Sequence, residues 1–188
     1  MFAIAVVAVL LLSYGKQAAL DLDLFTTGLC IVAPATPYDP ASGLAMRAPK
    51  SIPADARCPV RGMYPARFPR WAAQMVFKDG TSHFFDSPID LFVFMQGIDR
   101  YNMRYALDDV AMNYVTDFET GRWVEAQHAF FVHGSTVLGP MRDADLPAFA
   151  SIESADSMVR NRGGKVLTFT GVSPELIRTL NRSTRHLH

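Results

Sequence analysis

From residue 71 onward, short apolar runs alternate with turn-forming clusters, and the same order of runs occurs twice. Ala72-Ala73-Gln74-Met75-Val76-Phe77 has the apolar, β-favouring composition of a short strand. Lys78-Asp79-Gly80-Thr81 follows, with an Asp-Gly pair that favours a tight hairpin turn, and residues 82–86 return as a second strand. Ser87-Pro88-Ile89-Asp90 reads as a helix start. Ser87 supplies an N-cap oxygen, Pro88 takes the first position, where its missing N–H costs nothing, and Asp90 lies in the first turn. Leu91, Phe92, Phe94 and Met95 recur at helical spacing, and residues 110–118 close the unit as a strand.

The second pass begins with a strand over residues 125–133. A longer connection carries Gly139-Pro140-Met141, and residues 147–150 form a short return strand. Ser151 then caps a helix over about residues 152–161, with Glu153 in its first turn. Gly163-Gly164 ends it, because glycine accepts the left-handed conformation of a helix C-terminus, and residues 165–169 are the last strand. The expected fold is α+β, two ββαβ units packed together, because one such unit has too little core to stand alone. The expected organisation is residues 58–122 for the first unit with its Cys/Met loop, 123–171 for the second, and 172–188 for a terminal helix and tail.

Residues 2–12 are almost wholly apolar, a run too short to span a membrane comfortably but suited to a signal peptide. Residues 24–35 are apolar again and end in Ala33-Pro34-Ala35, the small-x-small form of a cleavage site. Residues 1–35 are therefore expected to be a signal peptide or membrane anchor, and the protein periplasmic. Cys30 is a candidate for lipidation, although Leu29 before it is larger than a lipidation signal prefers. Residues 36–57, rich in Pro, Ala and Ser, read as a linker.

Composition narrows the function. The chain of 188 residues is 49% hydrophobic and 19% charged, and its 18 Lys+Arg balance 18 Asp+Glu. That neutrality provides no broad electrostatic footprint for nucleic acid, and none is expected as a partner. Arg57, Arg61, Arg67 and Arg70 cluster locally, either as a solvated loop or as a docking surface for an acidic partner.

The candidate chemistry is sulfur. Cys58-Pro59-Val60-Arg61-Gly62-Met63 and Gly139-Pro140-Met141 each place a soft donor in a glycine-containing loop. Thiolate and thioether select Cu(I) over harder divalent ions. Cys58, Met63 and Met141 are therefore the candidate metal ligands, weighed against the alternative that each packs as a small hydrophobe. Arg61 and His133 are candidate auxiliary residues. His83 is expected to face solvent by strand alternation. His128 and His133, at odd separation on one strand, point to opposite faces. Asp86 and Asp117 read as helix-start and turn residues. No Ser-His-Asp order, phosphate loop or paired-carboxylate motif stands out, so an enzyme is not expected.

These motifs, taken in order, resemble the NosL accessory proteins of nitrous oxide reductase. The cysteine and Gly-Met string at residues 58–63 is similar to the family's metal motif. Phe77-Lys78-Asp79-Gly80 with Phe84-Phe85-Asp86 resembles its first hairpin. Tyr114-Val115-Thr116-Asp117-Phe118, Trp123, Ala129-Phe130-Phe131-Val132 and Gly134-Ser135 resemble its centre. Gly139-Pro140-Met141, Pro147-Ala148-Phe149 and Gly163-Gly164-Lys165-Val166 resemble its end. The resemblance implies an exported Cu(I)-binding metallochaperone, commonly a lipoprotein, with two ββαβ units. Its implied partners are nitrous oxide reductase or a related copper enzyme and a membrane maturation or transport complex. Many members have a second cysteine where Arg61 stands, so this chain is expected to offer one thiolate and to release its metal readily. The competing expectation is a docking module of such a complex that holds no copper.

Overall fold

The structure is a computed structural model that describes residues 33–183. The candidate lipidation site Cys30 and the tail Arg185-His186-Leu187-His188 lie outside the described residues. So does the expected signal or anchor, apart from residues 33–35.

β1 (Ala73–Phe77) and β2 (Ser82–Phe85) form an antiparallel hairpin with Ala73 opposite Phe85 and Val76 opposite Ser82. Gly80 turns it with a φ of 80°, and its N–H donates to the Phe77 carbonyl at 2.9 Å. Ser87 caps α1 (Pro88–Met95) as expected, its Oγ accepting from the Asp90 N–H at 3.4 Å. After a short α2 (Ile98–Tyr101), β3 (Val110–Thr116) returns beside β1, and β4 (Trp123–Glu125) completes a sheet of order β2-β1-β3-β4. The second unit runs β5 (Phe130–His133), β6 (Ala148–Phe149), α3 (Ile152–Arg162) and β7 (Lys165–Thr168), in a sheet of order β6-β5-β7. Each sheet thus places the first strand of its unit in the middle, the return strand on one side and the post-helix strand on the other. The α+β fold of two ββαβ units is present, followed by α4 (Pro174–Ser183).

One apolar core joins the units: Phe85, Leu91, Phe92 and Phe94 from the first pack with Phe131, Leu146 and Ala148 from the second. The Phe92 and Phe131 rings meet edge to face at 5.4 Å. Asp117, just past β3, links the sheets. Its Oδ1 accepts from the Thr120 N–H at 2.7 Å and its Oδ2 from the Ala150 N–H at 2.7 Å.

Three expectations change. The strand expected over residues 125–133 is two strands. Glu125 pairs with Tyr114 in the first sheet, a 3-10 turn over Ala126–His128 steps across, and Phe130 begins pairing in the second. One continuous strand cannot pair in both sheets, and the turn leaves His128 exposed. His83 does not face solvent. It is 3% exposed, hydrogen-bonded to Asn102 at 3.0 Å and flanked by Phe77 and Phe94. Burial lowers its pKa to about 4, so it is neutral. The stretch read as a linker is instead strapped onto the first sheet. Thr36 exchanges two 2.8 Å backbone hydrogen bonds with Ser82, the Lys50 N–H donates to Gln74 Oε1 at 2.9 Å, and Tyr114 donates to the Arg47 carbonyl at 2.8 Å.

Candidate metal centre

The loop that carries Cys58 closes on itself. Gly62 adopts a φ of 71°, a left-handed conformation that side-chain-bearing residues resist. This lets the Gly62 N–H reach the Cys58 carbonyl at 2.8 Å, while the Cys58 N–H reaches the Met63 carbonyl at 2.8 Å. The six-residue spacing read in the sequence thereby brings Met63 back beside Cys58 at the backbone. Cys58 is fully buried and Met63 half-buried.

The start of α1 faces this loop. The Cys58 thiol donates to Asp90 Oδ2 at 3.5 Å, and Arg61 Nε donates to Asp90 Oδ1 at 2.7 Å. Arg61 also reaches Asn181 Oδ1 on α4 at 3.4 Å. Asp86, one residue before the cap, completes the group. Ligand atoms of Cys58, Asp86 and Asp90 all lie within 4.8 Å of one another, and all three residues are buried. Burial pushes the thiol well above its ordinary pKa, and the carboxylates of Asp90 and Asp86 push the same way. Asp90 is likewise raised by burial and by Asp86, with Arg61 opposing. Neither oxygen of Asp86 meets a hydrogen-bond donor in good geometry.

Met141 lies half-buried at the tip of a separate turn. The Gly139 N–H donates to the Asp143 carbonyl at 2.9 Å, and the Arg142 N–H donates to the Gly139 carbonyl at 2.9 Å. The base of this turn is pressed against Asp145: a Cβ on Gly139 would stand 2.3 Å from Asp145 Oδ2. Asp145 accepts from the Leu146 N–H at 2.8 Å. Burial raises its pKa to about 7. The Leu146 N–H and Ser87 hydrogen bonds pull against that shift, the Asp86 charge adds to it and the Arg61 charge opposes it. Asp145 thus packs under the Met141 turn while feeling the charges of Asp86 and Arg61.

Of the residues singled out in the sequence, Cys58, Met63 and Arg61 lie on one loop, and Met141 lies on a separate turn whose Gly139 packs against Asp145. His133 stands at the far end of β5 opposite Lys165, and burial and that lysine lower its pKa. Asp86, Asp90 and Asp145 were not read as site residues. A signal existed for Asp90, the single charge in the otherwise apolar run Pro88-Ile89-Asp90-Leu91-Phe92-Val93-Phe94-Met95. For Asp145, far along the chain from Cys58, no local signal exists.

The sequence profile of the NosL family matches residues 49–177. The chain belongs to the NosL family. The match spans both ββαβ units, the Cys58 loop and the Met141 turn. Among solved structures, the crystal structure of the copper chaperone NosL from Shewanella denitrificans is similar at a TM-score of 0.57 and 20% identity. The match covers 69% of this chain and 98% of that one. At that identity the likeness establishes a shared NosL fold. The solution structure of apo-NosL from Achromobacter cycloclastes aligns at a TM-score of 0.42 and 23% identity, over 56% of this chain and 87% of that one. No match was found among curated proteins. Among the described residues of this NosL chain, no helix is long and apolar enough to cross a membrane.

Proposed function

We propose that this protein is a Cu(I) metallochaperone that carries copper in the periplasm to nitrous oxide reductase or a related copper enzyme. The reading rests first on one observation: the buried Cys58 thiol sits in a loop whose backbone folds Met63 against it. Family membership and the solved copper chaperone of the same fold support it. Copper here is cargo, and the donor chemistry fits it. Cu(I) takes two or three soft ligands, so Cys58 with Met63 and the thioether of the Met141 turn suffices. One thiolate with thioethers holds Cu(I) less tightly than two thiolates, which favours handover.

The surface beside the loop is cationic. Arg57 and Arg67 both lie over the half-buried Tyr64 ring, at 4.6 and 4.9 Å from its centroid, and both are exposed. Such a face suits an acidic client or membrane complex.

The test is anaerobic Cu(I) titration of the wild type beside Cys58→Ser, Met63→Ala and Met141→Ala. One Cu(I) per chain is expected, with affinity falling most in Cys58→Ser. An unchanged affinity in Cys58→Ser would refute the copper reading. Loaded protein should then restore activity to copper-depleted nitrous oxide reductase. Failure of that transfer, with binding intact, would leave the copper role and remove this client.

A further inference from the structure

The exposed apolar side chains of this protein are not scattered. Among the described residues six large ones are exposed, and four of them, Leu44, Met46, Met103 and Leu107, belong to the two segments that meet at the β1–β2 turn. Met103 is the most open, at 78%. Contacts on the turn itself gather the segments. Tyr38 and Met46 pack on Gly80, where an added Cβ would stand 2.8 and 2.6 Å from their carbons, and the Tyr38 hydroxyl donates to the Leu44 carbonyl at 2.8 Å. Tyr105 donates to Asp79 Oδ2 at 2.7 Å, and Arg104 pairs with the same oxygen at 3.7 Å. The Lys78 N–H donates to the Asp109 carbonyl at 2.8 Å. An apolar group of this kind marks a contact surface.

Charge and chain path say what covers it. Residues 38–50, 78–81 and 102–109 carry Arg47, Lys50, Lys78 and Arg104 against Asp39, Asp79, Asp108 and Asp109. That balance provides no field to select a charged partner. A neutral apolar tip flanked by tyrosines suits a bilayer boundary, where tyrosine sits among headgroups and apolar side chains enter the acyl region. The apolar stretch 24–35 also ends at this place. Thr36, the next residue, pairs with Ser82, the first residue of β2 after the turn.

We propose that the tip of the first hairpin, with Leu44, Met46, Met103 and Leu107 around it, is a surface that contacts a zwitterionic phospholipid bilayer. The contact orients the protein. β1 runs from Ala73 to Phe77 at the turn, and Phe85, opposite Ala73, leads into Asp86 and α1. The Cys58 loop, which meets Asp90 near the start of α1, therefore stands at the end of the hairpin away from the lipid, about 15 Å along the strands. The contact rests on the anchor reading of residues 1–35 and not on the copper reading.

The probe is vesicles of phosphatidylcholine, ordinary or brominated in the acyl chains, mixed with the full chain. Sedimentation reads anchoring, and tryptophan quenching by bromine reads the face. Native Trp71 and Trp123 report from the far end of the sheet, since Trp71 precedes β1 and Trp123 pairs with Thr116, whereas Val110 pairs with Phe77 at the turn. They should keep their emission. The tryptophans introduced by Met103→Trp and Leu44→Trp should lose theirs in brominated vesicles. The one introduced by Leu138→Trp, exposed beside the Met141 turn, should not. High salt should leave the quenching unchanged. Chain that sediments without quenching in Met103→Trp and Leu44→Trp overturns the lipid surface, keeps the anchor and leaves an apolar protein partner as the occupant. Equal quenching of native and introduced tryptophans overturns it, as does quenching removed by salt. Chain that does not sediment refutes the anchor and the contact together.

Discussion

Copper loading should release one proton per metal, and the affinity should follow pH accordingly. Cys58 is fully buried, and burial together with Asp90 and Asp86 raises its pKa well above that of a free thiol. Throughout pH 6–8 the apo protein therefore holds the thiol protonated, whereas a metal binds the thiolate. Each pH unit then changes the dissociation constant tenfold, about 1.4 kcal/mol. From pH 6 to pH 8 the protein should bind Cu(I) about a hundredfold more tightly. The same exchange sets the effect of Arg61. Its guanidinium reaches Cys58 through Asp90, by contacts of 2.7 and 3.5 Å. A unit charge about 9 Å away at an effective dielectric near 20 contributes about 2 kcal/mol, or roughly thirtyfold. Replacing H+ by Cu+ leaves the charge at sulfur unchanged, so this contribution cancels. Arg61→Gln should shift Cu(I) affinity by much less than thirtyfold while keeping the slope. The assay is anaerobic competition with a chromophoric Cu(I) chelator calibrated at each pH, with proton release read in weak buffer. A flat pH profile, or a slope that survives in Cys58→Ser, would refute the assignment of Cys58 as the protonated ligand.

Two further outcomes follow from Asp145. Its folded pKa is raised to about 7 from an ordinary 3.8, so the folded state keeps a proton that the unfolded chain loses. Its stabilising contribution is whole below about pH 4 and is lost as pH rises to 7, up to about 4 kcal/mol. Asp145→Asn should therefore be more stable than wild type at pH 8 but not at pH 4, by urea denaturation; equal differences at both would count against the buried acid. Gly139→Ala would drive a Cβ to 2.3 Å from Asp145 Oδ2 and should cost about 1–3 kcal/mol of overpacking. It should also weaken Cu(I) binding by displacing the Met141 turn. Gly171→Ala, outside the left-handed region and with no atom nearer than 3.4 Å to an added Cβ, is the control for its melting temperature and affinity.

The units were legible in the sequence because their signals are local. The Asp79-Gly80 turn, the Ser87 and Ser151 caps and the Gly163-Gly164 stop each act over a few residues, and each stands where it was read. The Cys58–Met63 loop was legible for the same reason, since Gly62 closes it within six residues. His83 was misread because alternation marks a solvent face only where one exists. All four residues of β2 are buried, with the strap around Thr36 bonded to its edge and α1 packed beside it. The sequence by itself therefore determined the elements, their order and the loop that returns the Met63 backbone to Cys58. Tertiary structure alone decided that Asp86 and Asp90 face Cys58, that Arg61 answers Asp90 and that Gly139 of the Met141 turn packs against Asp145. The first two contacts join segments tens of residues apart. Their directions are set by how α1 and the second sheet pack into one core, and no local pattern carries that information.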